Sequence, residues 1–515
     1  MVTKVRETEW KYDVPAGVTL PDLSALPEVA ELSPPERQVL RAVYHDTADL
    51  RLVRAGITLR RRTGGGDAGW HLKLPDQAGS RIELRLPAGR DLPAELAGLV
   101  RAWTRGRPLE PVARITTTRR KRLLRGPGGS TLAEVVVDGV TAESLGAHAA
   151  PRRWDEVEVE LVDGDLRLLK AADKLLQRSG MVRSARTAKL EFALAGRLAE
   201  ASPGSADGSA AGGPGKAPSA AEAVLGYLAA QVDALVAWDP KVRQAEPDAV
   251  HTMRVTTRRI RSALRSFEPL FAPDSTIWLF EELTWLADVL GQARDEEVLG
   301  DHLLANLAAL AESSDYLVLG PVRERIDARF EPSRDSTHAS VLEALDGERY
   351  LALLAGLDAL LAEPPLAKAA ERRAAKELPP LIDTTFRRVD KRMARAFETP
   401  PGGAERDVAL HEARKAAKRA RYAAEAVSPA LGKRLRRSAK AMKGLQTVLG
   451  EHQDSVLAAH VIRELGLAAH AAGENAFTYG VLYERDAAAL PVLQAEAERA
   501  WKQARRTGAG TGAKR

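Results

Sequence analysis

The stretch VHTMRVTTRRIRSALRSF, residues 250–267, carries five arginines and a histidine and meets no acid until Glu268. Steps of three and four place His251, Arg254, Arg258, Arg261 and Arg265 on one side of a helix. Like charges at this spacing repel by roughly 0.2–0.5 kcal/mol per pair, so the helix on its own gains nothing from the stripe. The pattern nevertheless returns as LHEARKAAKRARY at 410–422, with His411, Arg414, Lys418 and Arg421 matching His251, Arg254, Arg258 and Arg261 at an offset of 160. VLGQARDEEVL at 289–299 is echoed by VLGEHQDSVL at 448–457 at an offset of 159. A period this long exceeds a solenoid unit and implies two homologous helical bundles.

Outward from this stripe, the later half is rich in Ala, Leu, Arg and Glu at helical spacing, with Pro and Gly falling between periodic runs, which predicts an all-helical region. It is preceded by ASPGSADGSAAGGPGKAPSA at 201–220, too poor in apolar mass to bury and read as a flexible linker. Before the linker, short alternating segments are separated by turn signals such as TGGGDAG at 63–69 and GPGGS at 126–130. This predicts mostly antiparallel sheet, with one helix near Leu166 to Ser179. The expected division is therefore a sheet domain over 1–198, a linker over 199–219, a helical domain over 220–506 and a disordered tail over 507–515.

Composition sets the outer limits. A chain of 515 residues, 45% hydrophobic and 28% charged, is expected to be a soluble protein with two or more cores. No apolar run approaches a membrane span, and MVTKVRETEW lacks the apolar stretch of a secretory signal, so the expected location is the cytoplasm. The absence of cysteine excludes disulfides and thiolate metal sites, leaving oxygen or imidazole as ligands. A net charge of +6 is small for this length; its distribution says more.

In the sheet region charge recurs at every second residue. Glu7, Glu9 and Lys11 in ETEWK share a strand face, as do Arg60 and Arg62, His71 and Lys73, Arg81, Glu83 and Arg85, Glu134 and Asp138, Glu156, Glu158 and Glu160, and Lys189 and Glu191. An ordinary sheet with one solvated face would read the same way. The distinguishing feature is segregation: ExE strands lie at both ends of the region, with Arg/Lys strands between. If the sheet closes with these faces inward, the charges demand a polyanion for the bases and a hard cation for the acids. His71, beside Trp70, reads more readily as structural than as a pocket residue.

Residues 1–198 resemble a CYTH domain of the triphosphate tunnel metalloenzyme group. The likeness is carried by ExExK at Glu7, Glu9 and Lys11, YHDTADLRL at 44–52, GITLRRR, WHLKLP, Arg81 and Glu83, LAEVVVDGV and EVEVEL. It implies an eight-stranded antiparallel β-tunnel that hydrolyses triphosphate-containing substrates with Mg²⁺ or Mn²⁺. Carried onto this chain, Glu7, Glu9, Glu158 and Glu160 become metal ligands, with Glu134 and Asp138 contributing. Lys11, Arg60, Arg62, Lys73, Arg85, Arg119 and Lys189 grip phosphates, and Lys11, Glu9 and Glu158 form the catalytic core. Arg119 depends on register, because TTTRRKR offers several and a one-residue slip exchanges faces.

Residues from about 220 to 505 resemble a CHAD domain, through both arginine stripes and both VLG segments. That family implies two pseudosymmetric four-helix bundles that bind inorganic polyphosphate, with His251, Arg254, Arg258, Arg261, Arg265, His411, Arg414, Lys418, Arg421 and Tyr422 as the contacts. Arg259, Lys415 and Arg419 lie at the rim. Pairing with Asp295 and Asp454 is expected to occupy some of the cations. Nucleic acid offers the same phosphates, but the chain is only 5% aromatic, which argues against base stacking. The fold class expected is thus a two-domain α+β chain. The expected function is a Mg/Mn-dependent triphosphatase with a polyphosphate-binding helical domain, at polyphosphate granules in the cytoplasm. A non-catalytic polyphosphate scaffold, a nucleotide cyclase and a thiamine triphosphatase are the rival readings, and no membrane partner is expected.

Overall fold

The computed structural model describes residues 3–76, 80–146, 151–186, 188–200, 217–313 and 317–506. The chain divides into two compact units, Met1–Gly208 and Ser209–Arg515. Most of the expected linker, at 201–216, and the tail at 507–515 lie outside the described residues.

The strands of the first unit are β1 (Thr3–Glu7), β2 (Glu9–Asp13), β3 (Glu31–Leu32), β4 (Glu36–Asp46), β5 (Thr58–Thr63), β6 (Gly69–Pro75), β7 (Arg81–Pro87), β8 (Glu110–Arg125), β9 (Thr131–Ser144), β10 (Arg152–Leu161) and β11 (Val182–Arg183). They form one antiparallel sheet in the order β1-β7-β6-β5-β4-β8-β9-β10-β2-β11, with β3 on β8. β1 and β2 are separated only by Thr8; the first pairs with β7 and the second with β10. This split strand joins the two ends of the sheet. Counting β1 and β2 as one, and setting aside the two-residue β3 and β11, eight strands among the described residues close a tunnel.

The tunnel is polar within because its apolar core lies outside the wall. Val135, Val157 and Val159 of β9 and β10 pack with Leu168, Leu169, Ala172 and Leu176 of a helix over Leu166–Arg178. Leu59, Leu72 and Leu84 of β5, β6 and β7 pack with Leu96, Leu99 and Val100 of a helix over Ala94–Thr104. Burial of each such side chain stabilises by roughly 1.5–3 kcal/mol, which offsets the cost of a bore lined by charge. Strand alternation then leaves every second residue facing inward.

In chain order the helices of this unit are α1 (Arg51–Arg54), α2 (Ala94–Thr104), α3 (Leu166–Arg178), α4 (Lys189–Ala193) and α5 (Ala195–Glu200). Only α3 is expected from the sequence pattern. The YHDTADLRL motif is a strand end followed by α1: buried Asp46 accepts from the amides of Thr47, Leu52 and Val53 at 2.7, 2.8 and 2.9 Å, with Leu50 in the left-handed region at φ 59°. AKLEF, expected as a strand with Lys189 and Glu191 on one face, is instead helix α4, since five residues satisfy either period.

The second unit comprises α6 (Ala220–Arg243), α7 (Ala249–Ser266), α8 (Ile277–Ala311), α9 (Val322–Asp346), α10 (Glu348–Ala362), α11 (Ala374–Glu398), α12 (Ala404–Leu431), α13 (Lys433–Ala471) and α14 (Phe477–Arg506). Each of α6 to α9 packs on the next, and so does each of α11 to α14, giving two runs of four helices joined by α10. The stripe-bearing helices α7 and α12 pack against one another, as do α8 and α13. α6 starts at a capping box formed by Ser219 and Glu222. It alone among the described residues is long and apolar enough to cross a bilayer. Its Val224, Leu228, Val232, Leu235 and Val236 are buried within the unit.

Candidate functional site

The bore of the first unit is a cavity of about 520 Å³. Alternation along the strands delivers its walls: Glu7 from β1, Glu9 and Lys11 from β2, Tyr44 from β4, Arg60 and Arg62 from β5, Lys73 from β6, Arg81, Glu83 and Arg85 from β7, Arg119 and Lys121 from β8, Glu134 from β9, and Glu158 and Glu160 from β10. Lys189 reaches the same cavity from α4. The register of TTTRRKR is settled by Ile115 and Thr117, which line the bore in step with Arg119 and Lys121. All of the expected phosphate-gripping residues therefore meet in one place.

Acids and bases hold one another in two groups. Around Glu158, Lys11 Nζ donates at 2.6 Å, Lys189 Nζ at 2.8 Å and an Arg119 nitrogen at 3.1 Å. Against the penalty of burial, these three cations hold the Glu158 carboxyl well below the carboxylate range. Lys11 is raised in turn, burial being outweighed by Glu158 and Glu9, so it stays an ammonium and cannot serve as a base near neutral pH. The second group centres on Glu83, which is 1% exposed and accepts from Arg85 and from His71 Nδ1 at 3.0 Å. His71 is equally buried and places Nε2 2.8 Å from the Asp67 carbonyl. It supports Glu83 and does not line the cavity. Lys73 pairs with Glu7, and Arg62 with Asp67.

Two kinds of acid cluster must be separated before a metal is considered. Ligand atoms of Asp138, Glu156 and Glu158 lie within 4.8 Å of one another. Lys189 Nζ already stands 3.0, 2.5 and 2.8 Å from them, and Arg119 adds a two-bond fork on Asp138 at 2.8 and 2.7 Å. These carboxylates hold protein cations, and Asp138 does not line the cavity. Glu160 is different: burial, then the like charges of Glu7 and Glu9, push it up to about 7. Glu7 is raised as well, chiefly by burial, against Lys73. Glu7, Glu9 and Glu160 line the cavity and their like charges suit a hard divalent cation; they are the residues that would hold it once drawn together, since among the described residues only Asp138, Glu156 and Glu158 bring three ligand atoms within 4.8 Å of one another.

A stability measurement checks this assignment. Glu160→Gln removes the repulsion, so the melting temperature in chelator rises by a few degrees, while the further rise on adding Mn²⁺ shrinks. A carboxyl whose folded pKa is raised favours the folded state at low pH and loses that contribution as pH climbs to about 7. Without metal, the wild-type melting temperature therefore declines over that window more than that of the variant, and Mn²⁺ affinity climbs up to about pH 7 and then levels.

In the second unit the two stripes converge. Arg258 is lowered by burial, against Tyr422, with Arg254, Arg261 and Arg414 adding like charge from both helices. Arg419 is lowered by burial and by Arg388, Arg265 and Arg261. Other stripe cations have acids beside them: Arg421 donates to Glu425 at 2.6 Å, Arg259 to Glu425 at 3.4 Å, and Arg265 to Glu268 at 2.7 Å. Tyr422 is 5% exposed, with the Arg259 and Arg421 guanidinium carbons 5.7 and 5.5 Å from its ring centroid. It works as a platform for arginines. His251 is exposed, whereas His411 and Lys418 are half-buried and burial lowers His411. Arg261 is lowered by burial against the pull of Asp288, so Asp288, Glu425 and Glu268 are acids that offset stripe cations. The side chain of Asp295 lies outside the described residues, and the charge of Asp454 helps to raise His302, behind the hydrogen bond to Asp486.

The residues missed by sequence reasoning are Tyr44 and Lys121 in the first unit and Arg388 in the second, while Glu83 and Glu156 were placed on charged strand faces without a role. Lys121 was within reach, as it continues the alternation of Arg119. Tyr44 sits in RAVYHD, whose alternation is concealed by Ala42 and Leu40 facing the bore. Arg388 belongs to α11, outside either stripe.

A closed, charge-lined β-tunnel followed by paired runs of four helices defines a tunnel domain joined to a helical module that carries two cationic stripes. Comparison with known proteins agrees: a CYTH domain is matched over residues 5–191 and a CHAD domain over 226–463. Rv2226, an uncharacterized protein of Mycobacterium tuberculosis, is 40% identical over 504 residues, covering 93% of each chain. The chain belongs to the family in which a CYTH domain of the triphosphate tunnel metalloenzyme group precedes a CHAD domain. Similar solved structures include PptA from Streptomyces chartreusis, 23% identical with a TM-score of 0.45, over 55% of this chain and 99% of that one. The CHAD domain from Ricinus communis is 25% identical with a TM-score of 0.42, over 55% of this chain and 92% of its own.

Proposed function

We propose that the first unit hydrolyses inorganic triphosphate or related polyphosphates with the aid of Mg²⁺ or Mn²⁺, and that the second binds inorganic polyphosphate. One observation carries the reading of the tunnel: its bore holds two opposite charge excesses. Arg62 is lowered by burial and then by Arg60 and Arg119, while Glu160 is raised by burial and then by Glu7 and Glu9. A complex of a divalent cation with a chain of phosphates relieves both at once.

In this reading Arg60, Arg62, Arg119 and Lys73 bind and orient the phosphates, and their positive field stabilises the negative charge that the transferred phosphoryl group carries. Lys11, held as an ammonium by Glu158 and Glu9, is one more donor to a phosphate oxygen. A divalent cation held by Glu7, Glu9 and Glu160 supplies Lewis acidity toward phosphate oxygens and water. Ser and Cys nucleophiles are not required. Because both units share one chain, retention of a polyphosphate by the second raises the concentration of phosphate chain ends near the first.

The test is phosphate release by the purified chain from triphosphate, thiamine triphosphate and ATP with Mg²⁺, Mn²⁺ or chelator. Release from triphosphate that depends on metal supports the proposal; no release in either metal favours a polyphosphate scaffold, and cyclic AMP from ATP favours a cyclase. The second unit has its own test. Arg258 lies among four other stripe residues drawn from both helices, so Arg258→Glu should weaken polyphosphate retention about 10-fold or more at low salt, with retention of the wild type falling steeply as salt is raised. Triphosphate turnover by the tunnel should be unchanged.

A further inference from the structure

Each VLG segment contributes a glycine to the interior of a long helix: Gly291 in α8 and Gly450 in α13, both buried. Helix interiors disfavour glycine relative to alanine, so its presence at both equivalent positions asks for a reason. A Cβ at Gly291 would stand 3.2 Å from Arg254 Nη2, 3.4 Å from its Cζ and 3.5 Å from its Nε. At Gly450 the corresponding distances to Arg414 are 3.4 Å for Nη2, 3.8 Å for Cζ and 3.6 Å for Nε. At Gly291 the three guanidinium atoms are nearly equidistant from the missing Cβ, so the flat face of the group lies over the glycine; at Gly450 Cζ is the farthest of the three, so the Nε–Nη2 edge is turned toward it and a Cβ there would make only ordinary contact. Arg254 and Arg414 are the matched first arginines of the two stripes, and Arg258 at the convergence of the stripes is close to both.

We infer that Gly291 is a positioning residue for polyphosphate: it lets the Arg254 guanidinium lie flat on a helix backbone, fixing the orientation in which its N–H edge meets a phosphate chain. The face of the group is shielded and its donors remain in the plane, which is where a phosphate oxygen is bound. A lysine at 254 would need no such cradle, since an ammonium has no flat face. The inference rests on the polyphosphate reading of the second unit.

The experiment measures retention of polyphosphate of defined chain length by the full chain, together with its melting temperature and triphosphate turnover. Gly291→Ala is expected to weaken retention about 3- to 10-fold, whereas Gly450→Ala leaves it near the wild-type value, since a Cβ at 450 makes only ordinary contact with Arg414. The melting temperature stays level or rises, because alanine favours the helix. In an Arg254→Lys background, Gly291→Ala has no further effect. If the wild type retains polyphosphate and Gly291→Ala leaves retention unaltered, or weakens it equally in the Arg254→Lys background, the cradle is wrong. A fall in both retention and melting temperature makes the glycine a packing residue only and also overturns it. A wild type that retains no polyphosphate overturns the reading of the unit itself.

Discussion

Glu9→Gln lowers metal-dependent phosphate release from triphosphate by more than about 100-fold. Residues that merely support a metal ligand cost 10- to 100-fold when replaced, and Glu9 is assigned as a ligand itself. Its carboxyl is lowered in spite of burial because Lys11 stands 3.1 Å away, so it is an anion in the resting tunnel. Glutamine keeps the shape and removes the charge. Lys11 remains bonded to Glu158 at 2.6 Å, and the fold should be intact, with a melting temperature in chelator near that of the wild type. The informative comparison is with Glu158→Gln. Glu158 holds Lys11, Lys189 and Arg119, so its replacement takes a carboxylate from three buried cations, leaving them Glu9, Asp138 and Glu156, and should lower stability along with turnover. A loss confined to turnover in Glu9→Gln, joined by instability in Glu158→Gln, separates a metal ligand from the anchor of the phosphate-binding cations.

Arg119→Ala is expected to have the largest effect on stability. Arg119 donates two bonds to Asp138, which is wholly buried, and a third to Glu158. Removing one partner of a buried pair leaves an uncompensated charge, at a cost on the order of 3 kcal/mol; Lys189, 3.0 Å from Asp138, limits the damage. Hydrogen exchange of the intact chain reads the effect locally: amides of β8, β9 and β10 should exchange faster, with α6 to α14 unaltered. Arg119→Lys retains the charge but loses the fork, and should recover only part of the protection.

Much of this site was legible in the chain because strand alternation is a strict rule. Once Glu7, Glu9 and Lys11 are set on one face, the wall partners follow from pairing, since β2 places Lys11 opposite Glu158 and Glu9 opposite Glu160 on β10. The stripes were legible for the same reason at helical period. What stayed hidden depends on distance through space. Nothing in the sequence distinguishes Glu158, enclosed by three cations, from Glu160, two residues on and short of them. AKLEF shows the limit of period reading, since five residues fit a strand or one helical turn, yet Lys189 reaches the bore from either. The flat contact of Arg254 on Gly291 joins two helices and has no local signature.

The most direct measurement of the account is the anomalous scattering of Mn²⁺ in crystals of the protein grown with Mn²⁺ and a non-hydrolysable imido analogue of triphosphate. The account predicts manganese inside the tunnel against Glu7, Glu9 and Glu160, with the phosphates against Arg60, Arg62, Arg119 and Lys73. Manganese at Asp138, Glu156 and Glu158 in place of Lys189, or phosphates bound outside the bore, would contradict it.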